Sequence, residues 1–214
     1  MLRRLWLKRR QDALSVEDPA HARPAAPPNN STPRRSIGTV STITGYDPLT
    51  LREQVDVSAA NERLDELGNL RSLTALLEKV TLFRLLNRLD DAWNVANEAV
   101  RLTRFSGNRE DLLAARIVRA QVQHSQAKLP AALSELTLCA DEAGTHEWGG
   151  LEAAAQLALG KVRFELAELP EAKAAFTAAV FLFERLGASL GDLESALVAI
   201  SVTEKRIAQI NLGR

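Results

Sequence analysis

The side chains best suited to catalysis or metal binding are few and scattered. His21, His124 and His146 fall in widely separated segments, and Cys139 is the sole cysteine; a structural or catalytic metal site needs several such ligands converging. His146-Glu147-Trp148-Gly149-Gly150 has the opening His-Glu of a zinc-hydrolysis motif, in which a second imidazole one helical turn later completes the metal grip. Gly150 stands in that second position, so the segment reads as a loop, with Trp148 anchoring the helix that follows. No GxxxxGK phosphate loop, GxSxG elbow or GxGxxG turn occurs. The sequence therefore predicts no catalytic residue, no metal and no cofactor, and the question becomes what its secondary structure could present to a partner.

Of the 214 residues, 46% are hydrophobic, 25% charged and 5% aromatic, enough apolar mass for a core. Alanine and leucine dominate and glycine is scarce after residue 70, which favours helices over sheets and predicts an all-α domain. The longest mostly apolar stretch, Ala174 to Phe183, is too short to span a membrane, where about 18 residues are needed. One cysteine excludes an intrachain disulfide, and the basic start Met1 to Arg10 lacks the apolar stretch of a secretory signal; a reducing cytoplasm is the expected compartment.

Charge and proline divide the chain. Residues 1–48 hold eight basic and four acidic side chains, so the remainder carries a matching acidic excess, since the whole is neutral. Pro19, Pro24, Pro27, Pro28, Pro33 and Pro48 crowd the same segment, with too little apolar surface to offset the entropy of ordering. A disordered, basic and proline-rich arm is predicted over 1–48. Leu2, Leu5, Trp6 and Arg9 can share a helical face there, so an anionic membrane surface or a nucleic acid is the alternative partner class. Order is predicted to begin at Asp47-Pro48-Leu49-Thr50, where Asp47 can cap and Pro48 suits a first helical turn. The expected domain, 49–214, has capping helices over about 49–67 and 190–210 and three helical hairpins over about 70–106, 109–143 and 148–187.

A shift of 40 residues brings the chain into register with itself twice. Leu89, Leu129 and Leu169 align, followed by Ala92, Ala132 and Ala172. Ahead of them align Ala75, Ala115 and Ala155; Leu77, Ile117 and Leu157; Val80, Ala120 and Gly160; and Leu82, Val122 and Val162. Behind them come Ala96, Leu136 and Phe176, then Ala99, Cys139 and Ala179. Asp90, Pro130 and Pro170 share one column, and each suits a helix start: proline presets φ, and aspartate complements the helix dipole. Apolar residues recur at three- and four-residue spacing on both sides of that column, so each unit is two antiparallel helices.

These columns resemble the tetratricopeptide repeat: a small residue in mid first helix (Gly160), an apolar residue three before an alanine (Leu169 to Ala172), an aromatic four later (Phe176) and a second alanine (Ala179). The resemblance covers about residues 70–187. The chain departs from it in its period, 40 against about 34, in Leu76, Arg116 and Gln156 standing where a large aromatic is expected, and in lacking the closing proline. Longer-helix members of that family are similar, and HEAT or armadillo repeats are the runner-up fold. The resemblance implies a right-handed superhelix of helical hairpins, a TPR-like α-solenoid, whose first helices line a concave groove that holds a peptide or helix of another protein. Carried over by register, the groove residues are Thr81 and Arg84, then Gln121, His124 and Ser125, then Lys161, Phe164 and Glu165. Their plain alternative is the solvated face of amphipathic helices. The expected function is an adaptor, scaffold or regulatory protein binding a protein partner without catalysis. Nucleic acid is not an expected ligand of the repeats themselves.

Overall fold

Why the chain reverses where it does is decided by three turns built alike. Asn87, Ala127 and Ala167 stand 40 residues apart and all adopt a left-handed backbone, with φ of 58°, 59° and 61°. In each case the amide one residue later reaches back to the carbonyl five positions earlier: Arg88 to Phe83 at 2.8 Å, Lys128 to Gln123 at 2.9 Å and Glu168 to Arg163 at 2.9 Å. This is the helix-ending arrangement that satisfies carbonyls otherwise orphaned at a C-terminus. The next helix then starts at once.

The computed structural model describes residues 42–212, apart from the side chain of Leu190. Among them are a two-stranded antiparallel sheet, β1 (Ile43–Tyr46) with β2 (Glu53–Val55), and eight helices: α1 (Val57–Leu67), α2 (Leu73–Leu85), α3 (Leu89–Ser106), α4 (Arg109–Ser125), α5 (Leu129–Thr145), α6 (Gly149–Glu165), α7 (Leu169–Leu186) and α8 (Leu190–Leu212). The fold is a helical repeat. Each helix packs on its neighbours in sequence, and the first helices of successive hairpins, α2, α4 and α6, also touch one another, with α8 continuing that inner ladder against α6. The second helices α3, α5 and α7 form the outer layer. Ser72 and Asn108 cap α2 and α4 by accepting the amides of Ala75 and Asp111, which fixes where two of the inner helices begin.

The repeated columns are the core. Ala92, Ala132 and Ala172 are fully buried, as are Ala99, Cys139 and Ala179, and these small residues let the two layers approach. Size is exchanged across that interface from unit to unit. Val80 shares a cluster with Ala96, Ala120 with Leu136, and in the third unit Gly160 faces Phe176 so closely that a Cβ on Gly160 would overlap the ring. The inner side chain shrinks as the outer one grows, which keeps the summed volume of each facing pair nearly constant.

Two expectations at the N-terminal side are corrected. The helix expected to run from Leu49 starts instead at Val57, capped by Asp56, whose carboxylate accepts the Ala59 amide at 3.0 Å. Asp47 does accept the amides of Leu49 and Thr50, each at 2.8 Å, but the result is one turn rather than a helix. Leu51 ends it with φ of 58°, and Arg52 returns a carbonyl to the Asp47 amide. The capping signal was thus spent on the loop of a β-hairpin. For the same reason the arm expected to reach residue 48 is ordered from Ile43: Ile43 and Tyr46 pair with Val55 and Glu53 across the hairpin, and Pro48 sits in its turn. Residues 1–41, which carry His21 and the basic face around Trp6, lie outside the described residues.

Candidate functional site

Five helices, α1 to α5, lie between the hairpin of residues 43–55 and α6 along the chain, yet the hairpin's side chains are seated against α6 and its neighbours. Leu51, turned inward by its left-handed backbone, is 2% exposed and packs with Phe164, Leu169, Ala172, Phe176 and Ala199. An adjacent polar contact is unusual for so small an element. The Glu53 carboxylate receives Lys161 Nζ at 2.6 Å from α6 and Arg84 Nη1 at 3.1 Å from α2, so one side chain ties the first hairpin unit to the third. All three side chains are about 15% exposed. Burial alone would raise the Glu53 pKa, but Arg84 and Lys161 outweigh it and hold the carboxyl well below the ordinary carboxylate range.

Around this clamp the contacts stay polar. His124 Nε2 of α4 lies 3.2 Å from Glu165 Oε1, and Arg52 of the hairpin approaches the same oxygen at 3.8 Å. Glu165 is held below its usual range chiefly by the imidazole facing it. Lys161 Nζ stands 5.5 Å from the centre of the Tyr46 ring, a cation–π distance. Burial pushes the Tyr46 hydroxyl upward, so it stays neutral at ordinary pH. Arg84 Nε is buried and has no hydrogen-bond partner, leaving a donor unused beside Glu53. Between the hairpin and the helices a cavity of about 710 Å³ remains, reached also by Asp192 and Glu194 from the start of α8.

Six of the eight residues placed on the groove by register line this cavity: Arg84, Gln121, His124, Ser125, Lys161 and Glu165. Thr81 does not; its hydroxyl donates to the Leu77 carbonyl within α2. Phe164 is a correction. It shares a column with Arg84 and His124, yet it is 1% exposed, packed beneath Leu51 and covered by the Arg206 guanidinium 4.8 Å from its ring centre. An apolar side chain at that position is drawn into the core that the hairpin completes, whereas its polar counterparts line the cavity. Glu53, Arg52 and Tyr46 were not foreseen, because nothing in the proline-rich segment signalled a strand.

The chemically suggestive residues outside the groove have structural roles. His146 ends α5 and stacks on Trp148, 4.6 Å between ring centres, while Glu147 takes the left-handed turn between them, so the His-Glu pair lies in a loop. Cys139 is fully buried, and desolvation pushes its thiol up to about 12, far from the thiolate needed for nucleophilic chemistry. Among the described residues no three His, Cys, Asp or Glu side chains converge on a common point that could hold a metal ion. Nor is any described helix long and apolar enough to cross a membrane. Trp93 packs beside Val80, Ala92, Ala96 and Val122, with Lys128 and Arg119 over its ring, so it serves the core rather than the groove.

No protein-family model and no curated sequence matches the chain. Among solved structures, the fold is similar to that of RapI in its apo form, a helical repeat protein: the TM-score is 0.55 at 16% identity, over 73% of this chain. The chain spans 58% of the length of that RapI structure. At this identity the likeness concerns the fold.

Proposed function

We propose that this protein is a binding module whose concave face, formed by α2, α4 and α6, receives an extended segment of another protein. The observation that carries the reading is the seat of Glu53: the inner helices already hold a non-helical stretch of polypeptide there, by an apolar side chain in a pocket and a carboxylate between two cations. Extended recognition segments are gripped in the same way, with backbone laid along a surface and alternate side chains anchored. A groove built from three helices also offers rigid positions, since each donor is fixed by a repeat turn. The reading is of an adaptor or regulatory protein, with no chemistry assigned to the groove.

Site-specific photo-crosslinking in the native cell tests it. With the reactive residue at Gln121 in the groove, a defined partner adduct is expected, and it should fall at least tenfold when Arg84 and Lys161 are both replaced by alanine. With the reactive residue at Leu138, exposed on the outer layer, that adduct should be missing. Equal adducts at both positions, or a groove adduct indifferent to the two substitutions, would discard the reading.

A further inference from the structure

The groove is occupied by its own chain, and the terms of that occupancy say what else it would accept. We propose that Arg84 and Lys161 form a carboxylate receptor for an acidic, extended segment of the partner, and that residues 42–55 fill the receptor until such a segment displaces them. The inference rests on the groove reading above and adds the chemistry of the ligand and the resident competitor.

Three features point to an acidic ligand rather than a basic or apolar one. The two side chains that hold Glu53, Arg84 and Lys161, are both cations and neither is paired with another carboxylate among the described residues, while Glu165 faces His124 and Asp192 and Glu194 reach the cavity from α8. With Glu53 withdrawn, two cations would be left side by side without their shared counter-charge, a state that an incoming carboxylate relieves and a basic or apolar side chain does not. Arg84 also keeps a buried donor without a partner, Nε, which a ligand able to address the guanidinium from a second side would satisfy. Glu53 leaves it unused, so the resident occupant is not the best possible one.

Three further features make the hairpin replaceable. The sheet has only two strands, four and three residues long, and a bulge interrupts its pairing between Ile43 and Gly45. A two-stranded hairpin has little stability of its own, so its order depends on the side chains it seats on the helices, Leu51 and Glu53 with Tyr46 beside Lys161 and Val55 against the α1–α2 core. Its other outward residues are solvent-facing, Leu49 at 79% exposure among them. Because the hairpin is tethered, its effective concentration is roughly millimolar, so a free segment meets an apparently weakened groove until the tethered copy lets go.

The test uses the full chain and a synthetic peptide with the sequence of residues 42–55, in two versions carrying Glu or Gln at the position of Glu53. The chain is examined as it stands and as two separate variants that loosen the resident hairpin by different means, Glu53→Gln and Leu51→Ala. Helix content and thermal unfolding establish that each variant is folded. The glutamate peptide is expected to bind the Glu53→Gln chain at least tenfold more tightly than the unaltered chain, and at least tenfold more tightly than the glutamine peptide does. The Leu51→Ala chain should show the same order with a smaller gain. In hydrogen exchange, the amides of Tyr46 and Glu53 should lose protection when peptide is added. Equal binding to all three chains would place the peptide elsewhere, and indifference between the two peptides would remove the carboxylate receptor. Hairpin amides that stay protected in both variants would make the hairpin a fixed wall of the groove. Any of these three results overturns this inference while leaving the groove reading intact, because a partner adduct formed at Gln121 and missing at Leu138 is detected independently of the hairpin and of the peptide.

Discussion

Gly160 and Lys161 are consecutive residues on α6, about 100° apart around its axis, and they face different surroundings, one the seam between the helical layers and the other the groove. Behind Gly160 lies the Phe176 ring, at van der Waals distance from backbone, with no room for one carbon atom. Ahead of Lys161 lies a carboxylate from a remote part of the chain, a half-buried tyrosine and a cavity of about 710 Å³. Apolar close packing has no substitute partner in water, so the seam is permanent. Ion pairs and a single leucine can be matched by another polypeptide, so the groove side is the one proposed above to exchange its occupant. On that proposal the same helix supplies a rigid back and a receptive front.

The largest effects belong to the seam. Phe176→Ala should cost about 3–5 kcal/mol in a denaturation experiment, because it opens a cavity that Gly160 cannot fill. Gly160→Ala should cost about 1–3 kcal/mol by overpacking against the ring. The informative result is their coupling with the preceding unit's solution. There Ala120 lies in one cluster with Leu136, so Gly160→Ala combined with Phe176→Leu should be markedly less destabilising than the sum of the two single changes. Additive losses would show that the third unit does not share the second unit's packing, and the seam would lose its periodic character.

Much of the seam was legible because core packing leaves a trace at every repeat. Leu89, Leu129 and Leu169, with the alanines three positions later, report the period directly. The turns were not legible in the same way: Asn87, Ala127 and Ala167 share a backbone conformation, but two of them are alanines that disfavour it and only the asparagine signals it. The lining of the cavity was partly legible, since the register carried over from the repeat resemblance picked out Arg84, Gln121, His124 and Lys161, all of which line it. What register could not convey is that a phenylalanine in the same column turns inward once Leu51 covers it. The hairpin itself was hidden because Asp47-Pro48 suits a turn and a helix start equally well, and because Glu53 gains its meaning only from Arg84 and Lys161, 31 and 108 residues away along the chain.

An intermediate effect, and a sharper contrast between the two sides of α6, comes from pH. Glu53 has a folded-state pKa held below its unfolded value, so its contribution is fully present above the unfolded carboxyl range, about pH 4.3, and is lost as pH falls through the lower folded value. Hydrogen exchange at Tyr46 and Glu53 should therefore accelerate as pH drops below about 4, after correction for intrinsic rates, while amides around Phe176 stay protected. Glu53→Gln should leave the hairpin poorly protected at neutral pH, at a cost of about 1–3 kcal/mol from the unpaired cations, and should abolish its acid dependence. A hairpin that loosens with acid equally in the Glu53→Gln chain would assign the effect to Glu165 or Asp47, whose carboxyls are also held low.

The smallest effect tests whether the repeat turns belong to the permanent side. Ala127 and Ala167 hold φ near 60°, a conformation that costs an L-residue roughly 1–2 kcal/mol, whereas glycine adopts it freely and loses only chain entropy on folding. Ala127→Gly and Ala167→Gly should each raise stability by about 0.5–1 kcal/mol, read as a melting temperature higher by about 1–4 °C for a domain of this size. Asn87→Gly should do less, because asparagine already tolerates the left-handed region. Peptide binding in the groove should be unchanged by all three, since the turns fix the inner helices without touching Glu53. If stabilising a turn instead weakens binding, the inner helices must move when the groove exchanges its occupant, and the division between a fixed seam and an exchangeable face would have to be drawn between whole repeats rather than between the two sides of one helix.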